Sequence, residues 1–172
     1  MKLSSSTKAL LIAAAVIVLL FIIGDRFGLR SNSKDPRVTV IELDTAAVVA
    51  IHFEDRREPG NTRSWQRLPG GWMRAPGDGS DATSEATELL TRFQRVPVKR
   101  DMGMMRLLAE RYDLTDSTLC RIRFVAVDGG EHALNLGRNT FAPGKVGSWT
   151  YVNVPGEKEV YAVEGLLMGD LR

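Results

Sequence analysis

Apolar and polar positions follow three successive patterns along this chain. The first is an unbroken run, Ala9 to Gly24, of sixteen uncharged residues behind Lys2 and Lys8. At about 1.5 Å per helical residue it covers roughly 24 Å, somewhat less than the ~30 Å hydrocarbon core, so length alone suits a signal peptide or an anchor. The stretch Phe21-Ile22-Ile23-Gly24-Asp25-Arg26-Phe27-Gly28 has no Ala-x-Ala-like pair for cleavage. The pattern therefore predicts an uncleaved signal anchor, residues 1–24, with Leu10, Leu11, Ile12, Val16, Leu19, Leu20, Phe21 and Ile22 in the membrane. The expected location is the inner (cytoplasmic) membrane, single-pass, with the C-terminal domain in the periplasm or outside the cell. A polar, glycine-, serine- and proline-bearing stretch, residues 25–37, reads as a flexible linker.

The expected domain, residues 38–172, opens with the second pattern, which switches between periods of two and 3.6. Val38-Thr39-Val40-Ile41-Glu42-Leu43 and Val48-Val49-Ala50-Ile51-His52-Phe53 are short, β-branched and aromatic, as strands are. Arg63–Arg67 and Trp72–Arg74 flank Leu68-Pro69-Gly70-Gly71, which suits a hairpin with a type II turn presenting Trp65 and Trp72. After Pro76-Gly77-Asp78-Gly79, Ser80 or Asp81 can cap a helix whose apolar positions Ala82, Ala86, Leu89, Leu90 and Phe93 recur every three to four residues. Val96 and Val98 are extended, and Met104, Met105, Leu107, Leu108 and Tyr112 suggest a second, shorter helix.

The third pattern is alternation. Cys120, Ile122, Phe124 and Ala126 interleave with Arg121, Arg123 and Val125, Asp128-Gly129-Gly130 turns the chain, and His132, Leu134 and Leu136 return. A loop, Thr140 to Ser148, leads to Trp149–Val154, then the Pro155-Gly156-Glu157-Lys158 turn, Glu159–Val163, and an amphipathic tail from Glu164 to Leu171. The order strands, helices, strands predicts an α+β fold: an N-terminal single transmembrane helix followed by one mostly antiparallel sheet domain with two helices.

Charge and cysteine count narrow the function. Without Lys2 and Lys8 the chain carries 21 Lys and Arg against 21 Asp and Glu, so the field that would attract nucleic acid is missing and no nucleic-acid partner is expected. Cys120 is the only cysteine, which excludes an intramolecular disulfide and a cysteine-based metal site. His52 and His132 have no metal-binding spacing, and Asp78, Ser80 and Asp81 fit helix capping better than a calcium loop. No nucleophile elbow, phosphate loop or dinucleotide fingerprint occurs, so no catalytic, cofactor-binding or metal residue is assigned and no enzyme is expected. The interaction candidates are Trp65, Trp72 and Trp149, which offer large contact area, with Arg63 and Arg67 from the arginine-rich strip of Arg56, Arg57, Arg63, Arg67 and Arg74.

The order of several short pieces resembles the bacterial family known as domain of unknown function 4340. They are an opening strand pair around Asp44, the Trp72 hairpin before a helix at Asp81, Leu89-Leu90, Tyr112-Asp113-Leu114, Leu134-Asn135-Leu136-Gly137, and Tyr151-Val152 with Val160-Tyr161. The family usually has Gly where Asp113 stands, and Asp also tolerates a left-handed turn. The resemblance implies a membrane-anchored accessory subunit beside an ABC transporter permease, acting through protein–protein contacts without catalysis. The alternative is an extracytoplasmic module that captures a cell-envelope polysaccharide or lipid between the Trp hairpin and the Thr140–Ser148 loop, which predicts a concave pocket lined by Trp72 or Trp149.

Overall fold

The computed structural model describes residues 37–58, 60–75, 80–141, 147–165 and 167. Contacts divide the chain into two units, Met1–Pro36 and Arg37–Arg172, and the described residues all belong to the second. Its strands are β1 (Thr39–Glu42), β2 (Val48–Asp55), β3 (Thr62–Leu68), β4 (Gly71–Ala75), β5 (Arg95–Met104), β6 (Cys120–Ala126), β7 (Glu131–Phe141), β8 (Ser148–Asn153) and β9 (Glu159–Glu164). Two helices interrupt them, α1 (Thr83–Phe93) and α2 (Met105–Leu108). The strands join into one nine-stranded sheet in the order β1-β5-β9-β8-β7-β6-β2-β3-β4, with every neighbouring pair antiparallel.

Alternation decides which face each residue takes, since successive side chains in a strand point to opposite sides. Ile51 and Phe53 of β2, Ile122 and Phe124 of β6, Leu134 and Leu136 of β7, and Tyr161 and Val163 of β9 share one buried face with Trp65 and Trp72. Helix α1 closes that face with Ala86, Leu89, Leu90 and Phe93, whose spacing puts them on one stripe. Phe93 meets Phe124 with ring centroids 5.4 Å apart. Each of these fully buried large side chains contributes roughly 1.5–3 kcal/mol relative to exposure. The expected cap at Ser80 or Asp81 is corrected: the N-cap of α1 is Ala82 with no side-chain cap bond, and Asp81, one residue earlier, accepts the Thr83 backbone N–H at 2.9 Å in a local turn.

The opposite face is covered over a smaller area. Val160 of β9 packs there with Tyr112 and Leu114, and half-buried Met102, Met105, Leu108 and Tyr151 surround them. Gly137 makes this packing possible: a Cβ at that position would lie 2.1 Å from the Tyr112 carbonyl oxygen, which accepts the Arg138 N–H at 2.9 Å. Asp113 turns the intervening backbone with φ of 56°, the left-handed conformation that its side chain type tolerates.

Several expectations are corrected. The α+β fold with a transmembrane helix gives way to a sheet protein: nine strands dominate and the helices have 11 and 4 residues. Among the described residues no helix is long and apolar enough to cross a membrane, so the membrane and signal-anchor assignment and the single-pass inner-membrane location are withdrawn. The run Ala9–Gly24, with Leu10, Leu11, Ile12, Val16, Leu19, Leu20, Phe21 and Ile22, lies outside the described residues, as do the turn at 76–79 and most of the 140–148 loop and the C-terminal tail. The expected second helix shrinks to one turn because β5 extends to Met104. It pairs with β9 through register shifts at Val98/Arg100 and Asp101/Gly103 that break its period of two. The β3–β4 hairpin forms, with Leu68 opposite Gly71, but Gly71 rather than Gly70 takes positive φ, so its turn is not type II.

Candidate functional site

The tryptophan hairpin lies largely inside the protein. Trp65 is fully buried and its indole N–H donates to Glu85 on α1 at 3.0 Å. Trp72 is buried at the start of β4, and Trp149, paired with Thr140 and Glu164, is half-buried. Arg67 lies 4.9 Å over the Trp72 ring and donates to the backbone carbonyls of Ala46 and Thr45, at 2.6 and 3.0 Å. Arg63 is half-buried on β3. The five expected interaction residues therefore form no common surface: Trp65, Trp72 and Arg67 join the β3–β4 hairpin to α1 and the β1–β2 loop, and Trp149, on β8, is four strands away from β3 in the sheet order.

A shallow groove of about 240 Å³ remains beside this joint, lined by Thr45, Arg67, Trp72, Thr87, Thr91 and Gln94, among others. Glu85 shows how the same region uses its charge. Burial pushes its carboxyl up, but hydrogen bonds from Trp65 and Arg74 outweigh that and leave it below the usual carboxylate range.

Two other polar clusters are structural. Asp55, 4 % exposed, accepts from Arg57 Nε and Nη2 at 2.9 and 2.8 Å, so the guanidinium holds its carboxyl below the ordinary value against the effect of burial. Arg57 Nη2 also reaches the sulfur of Cys120, which is fully buried. His52 shares a hydrogen bond with Ser64 across β2 and β3 at 2.9 Å, and burial, then Arg123, lowers its pKa below 6.5. Among the described residues no group of three or more His, Cys, Asp or Glu is placed to hold a metal ion.

The opposite sheet face gathers a different set. Register puts Arg100 on β5 opposite Ala162 on β9, and Ala162 opposite Tyr151 on β8. The next strand, β7, shifts register between Leu136 and Asn139, so Gly137 and Arg138 flank Tyr151 on its other side. Tyr151 stacks on Tyr112 with centroids 3.9 Å apart, and Arg111 lies 5.6 Å from the Tyr112 ring centre. Arg100, Arg111 and Arg138 are exposed and, among the described residues, none makes an ion pair. Burial and then Tyr112 push the Tyr151 hydroxyl above its ordinary pKa, while Arg138, Arg111 and Arg100 pull it down. Beside this row a buried network is complete in itself: Arg121 donates to Asn135, Asn135 to Asn153, and Asn153 to the carbonyls of Glu157 and Glu159.

Residue reasoning had no reason to single out Tyr151, Arg100, Arg111 or Arg138, because they are far apart in sequence. A signal was nonetheless present. Tyr112-Asp113-Leu114, Leu134–Gly137, Tyr151-Val152 and Val160-Tyr161 meet on or beside this face, through the Tyr stack and the Gly137 contact. Comparison with family models, curated proteins and solved structures finds no match for this chain.

Proposed function

We propose that residues 37–172 act as a non-catalytic accessory subunit that docks onto a partner protein through the Tyr151–arginine face. One observation carries this reading: three exposed arginines without ion pairs surround a half-exposed tyrosine stacked on a second tyrosine. Half-buried Met102 and Met105 adjoin it. Tyrosine, methionine and arginine are the residue types enriched where proteins meet, and tyrosine and arginine recur among the residues that dominate binding energy. The motif resemblance described above supports an ABC transporter permease as the partner.

The test is recovery of the full-length chain from a native extract, with mass spectrometry of what stays bound. The wild type and a Thr87→Ala/Thr91→Ala groove variant are expected to retain the same partner in matching amounts. Tyr151→Ala is expected to lose it while keeping its thermal midpoint within a few degrees. Recovery of the chain alone, or a partner retained by Tyr151→Ala, would contradict the reading.

Ligand capture is the second reading, and the groove beside Trp72 is the observation in its favour. At about 240 Å³ it is smaller than the ~300–1,000 Å³ of usual small-molecule sites, and Arg67 is committed to two backbone carbonyls. Both facts favour docking over capture of a polysaccharide or lipid.

A further inference from the structure

The docking face has a charge pattern that identifies its partner's chemistry more closely. Residues 37–172 carry 18 Lys and Arg against 19 Asp and Glu, so the unit as a whole is close to neutral. Locally it is not. Most of the ion pairs join arginines to acids elsewhere, as in Arg56 with Glu54 and Asp116, Arg57 with Asp55, Arg74 with Glu85 and Arg92 with Glu88. On the Tyr151 row the acids adjacent in sequence do not serve that role. Asp101 accepts the Gly103 N–H at 2.8 Å, and Glu110 and Asp113, the neighbours of Arg111 in sequence, make no ion pair with any of the three arginines.

The spacing of the cations separates the ligand classes. Arg100 and Arg138 lie on strands separated by β9 and β8, three strand intervals, or roughly 14 Å at ~4.8 Å each. A single phosphate needs several donors converging on its own oxygens, whereas the backbone origins of these cations are spread along a row of this width. A near-neutral unit likewise lacks the extended positive field of a nucleic-acid binder. A row this wide suits an extended chain with several carboxylates, which arginine binds in a planar, two-point fashion.

We propose that this face binds an acidic, extended peptide segment of the partner, whose carboxylates pair with Arg100, Arg111 and Arg138 while its backbone lies against Tyr151. The inference rests on the docking reading and gives the partner a sign. Complementary charge of this kind raises the association rate and makes binding salt-sensitive.

The probe is a fluorescently labelled oligoglutamate peptide titrated with the full chain and followed by anisotropy. The wild type is expected to bind, and binding is expected to weaken as salt rises from about 50 to 200 mM. Arg100→Glu/Arg111→Glu/Arg138→Glu is expected to weaken it by roughly tenfold or more, and the Arg→Gln triple variant in the same direction but by less. Circular dichroism confirms that each variant is folded. Equal binding by the triple variants, absence of binding by the wild type, or full displacement of the peptide by equimolar inorganic pyrophosphate would overturn the proposal. A partner that is lost from Tyr151→Ala in the recovery experiment yet held independently of salt would leave the docking reading standing and remove only the acidic assignment.

Discussion

The two faces of this sheet are built from the same strands and covered differently. On the α1 side, residues such as Ile51, Phe53, Trp65, Phe124 and Leu134 are fully buried, and polar atoms at its margin are satisfied internally, Trp65 by Glu85 and Arg67 by the carbonyls of Ala46 and Thr45. On the other side the cover stops at Tyr112, Leu114 and α2, leaving Tyr151 half-exposed with three arginines around it. A polar side chain that already has its partners inside the fold has little left for another molecule. The tryptophan-rich face thus supports the fold, whereas the arginine–tyrosine face keeps its arginines out of ion pairs, the feature on which the proposed docking rests.

The strongest way to break this division is to damage the tryptophan-rich face and leave the arginine–tyrosine face intact. Phe93→Ala removes a fully buried ring that packs on Phe124, and should cost about 3–5 kcal/mol in denaturant unfolding. Its folded fraction should still bind the labelled oligoglutamate with the wild-type affinity. On the opposite face, Gly137→Ala places a Cβ against the Tyr112 carbonyl and Leu114, a clash with backbone that cannot be relieved by a rotamer change. A loss of about 2–3 kcal/mol is expected, together with altered tyrosine fluorescence as the Tyr112–Tyr151 stack is displaced.

Asp55→Asn should cost about 2–3 kcal/mol. This is below the ~3–5 kcal/mol for fully buried pairs, because Arg57 keeps 25 % of its side chain exposed. The wild type should also show the pH signature of that pair. The Asp55 carboxyl titrates below its ordinary value, so its contribution is complete above the unfolded-state pKa and is lost as pH falls through the lowered folded one. An acid titration followed by circular dichroism should lose that step in Asp55→Asn. The smallest expected effect belongs to His52. Its pKa is lowered, so protonation favours the unfolded chain and stability should decline slightly as pH drops below about 6.5, a decline absent in His52→Asn.

Much of the strand pattern was legible in the sequence, for reasons local to each strand. Alternation at Cys120–Ala126 and the β-branched run at Val48–Phe53 have one buried face each, so period two survives in the residues. The α1 stripe of Ala86, Leu89, Leu90 and Phe93 was legible for the same reason with period 3.6. Strand β5 was largely illegible because two register shifts interrupt its alternation and its pairing with β9 lies nearly sixty residues away in sequence. The orientation of the tryptophans was also hidden. Trp65 and Trp72 have the composition of an exposed binding hairpin, and only the helix packed over them shows that they point inward. The Tyr151–arginine row could not be read from spacing, since its members come from β5, the segment after α2, β7 and β8. Tertiary register alone brings them together.

The claim that the arginine–tyrosine face is the one a partner covers can be tested on the chain itself. Phenylglyoxal footprinting of arginines, read by mass spectrometry, would compare the protein in native extract with the purified protein. The account predicts that Arg100, Arg111 and Arg138 are protected in the extract and react after purification, while Arg63 reacts equally in both. Equal reactivity of the three arginines in the two samples, or protection confined to Arg63 and Arg67, would contradict it.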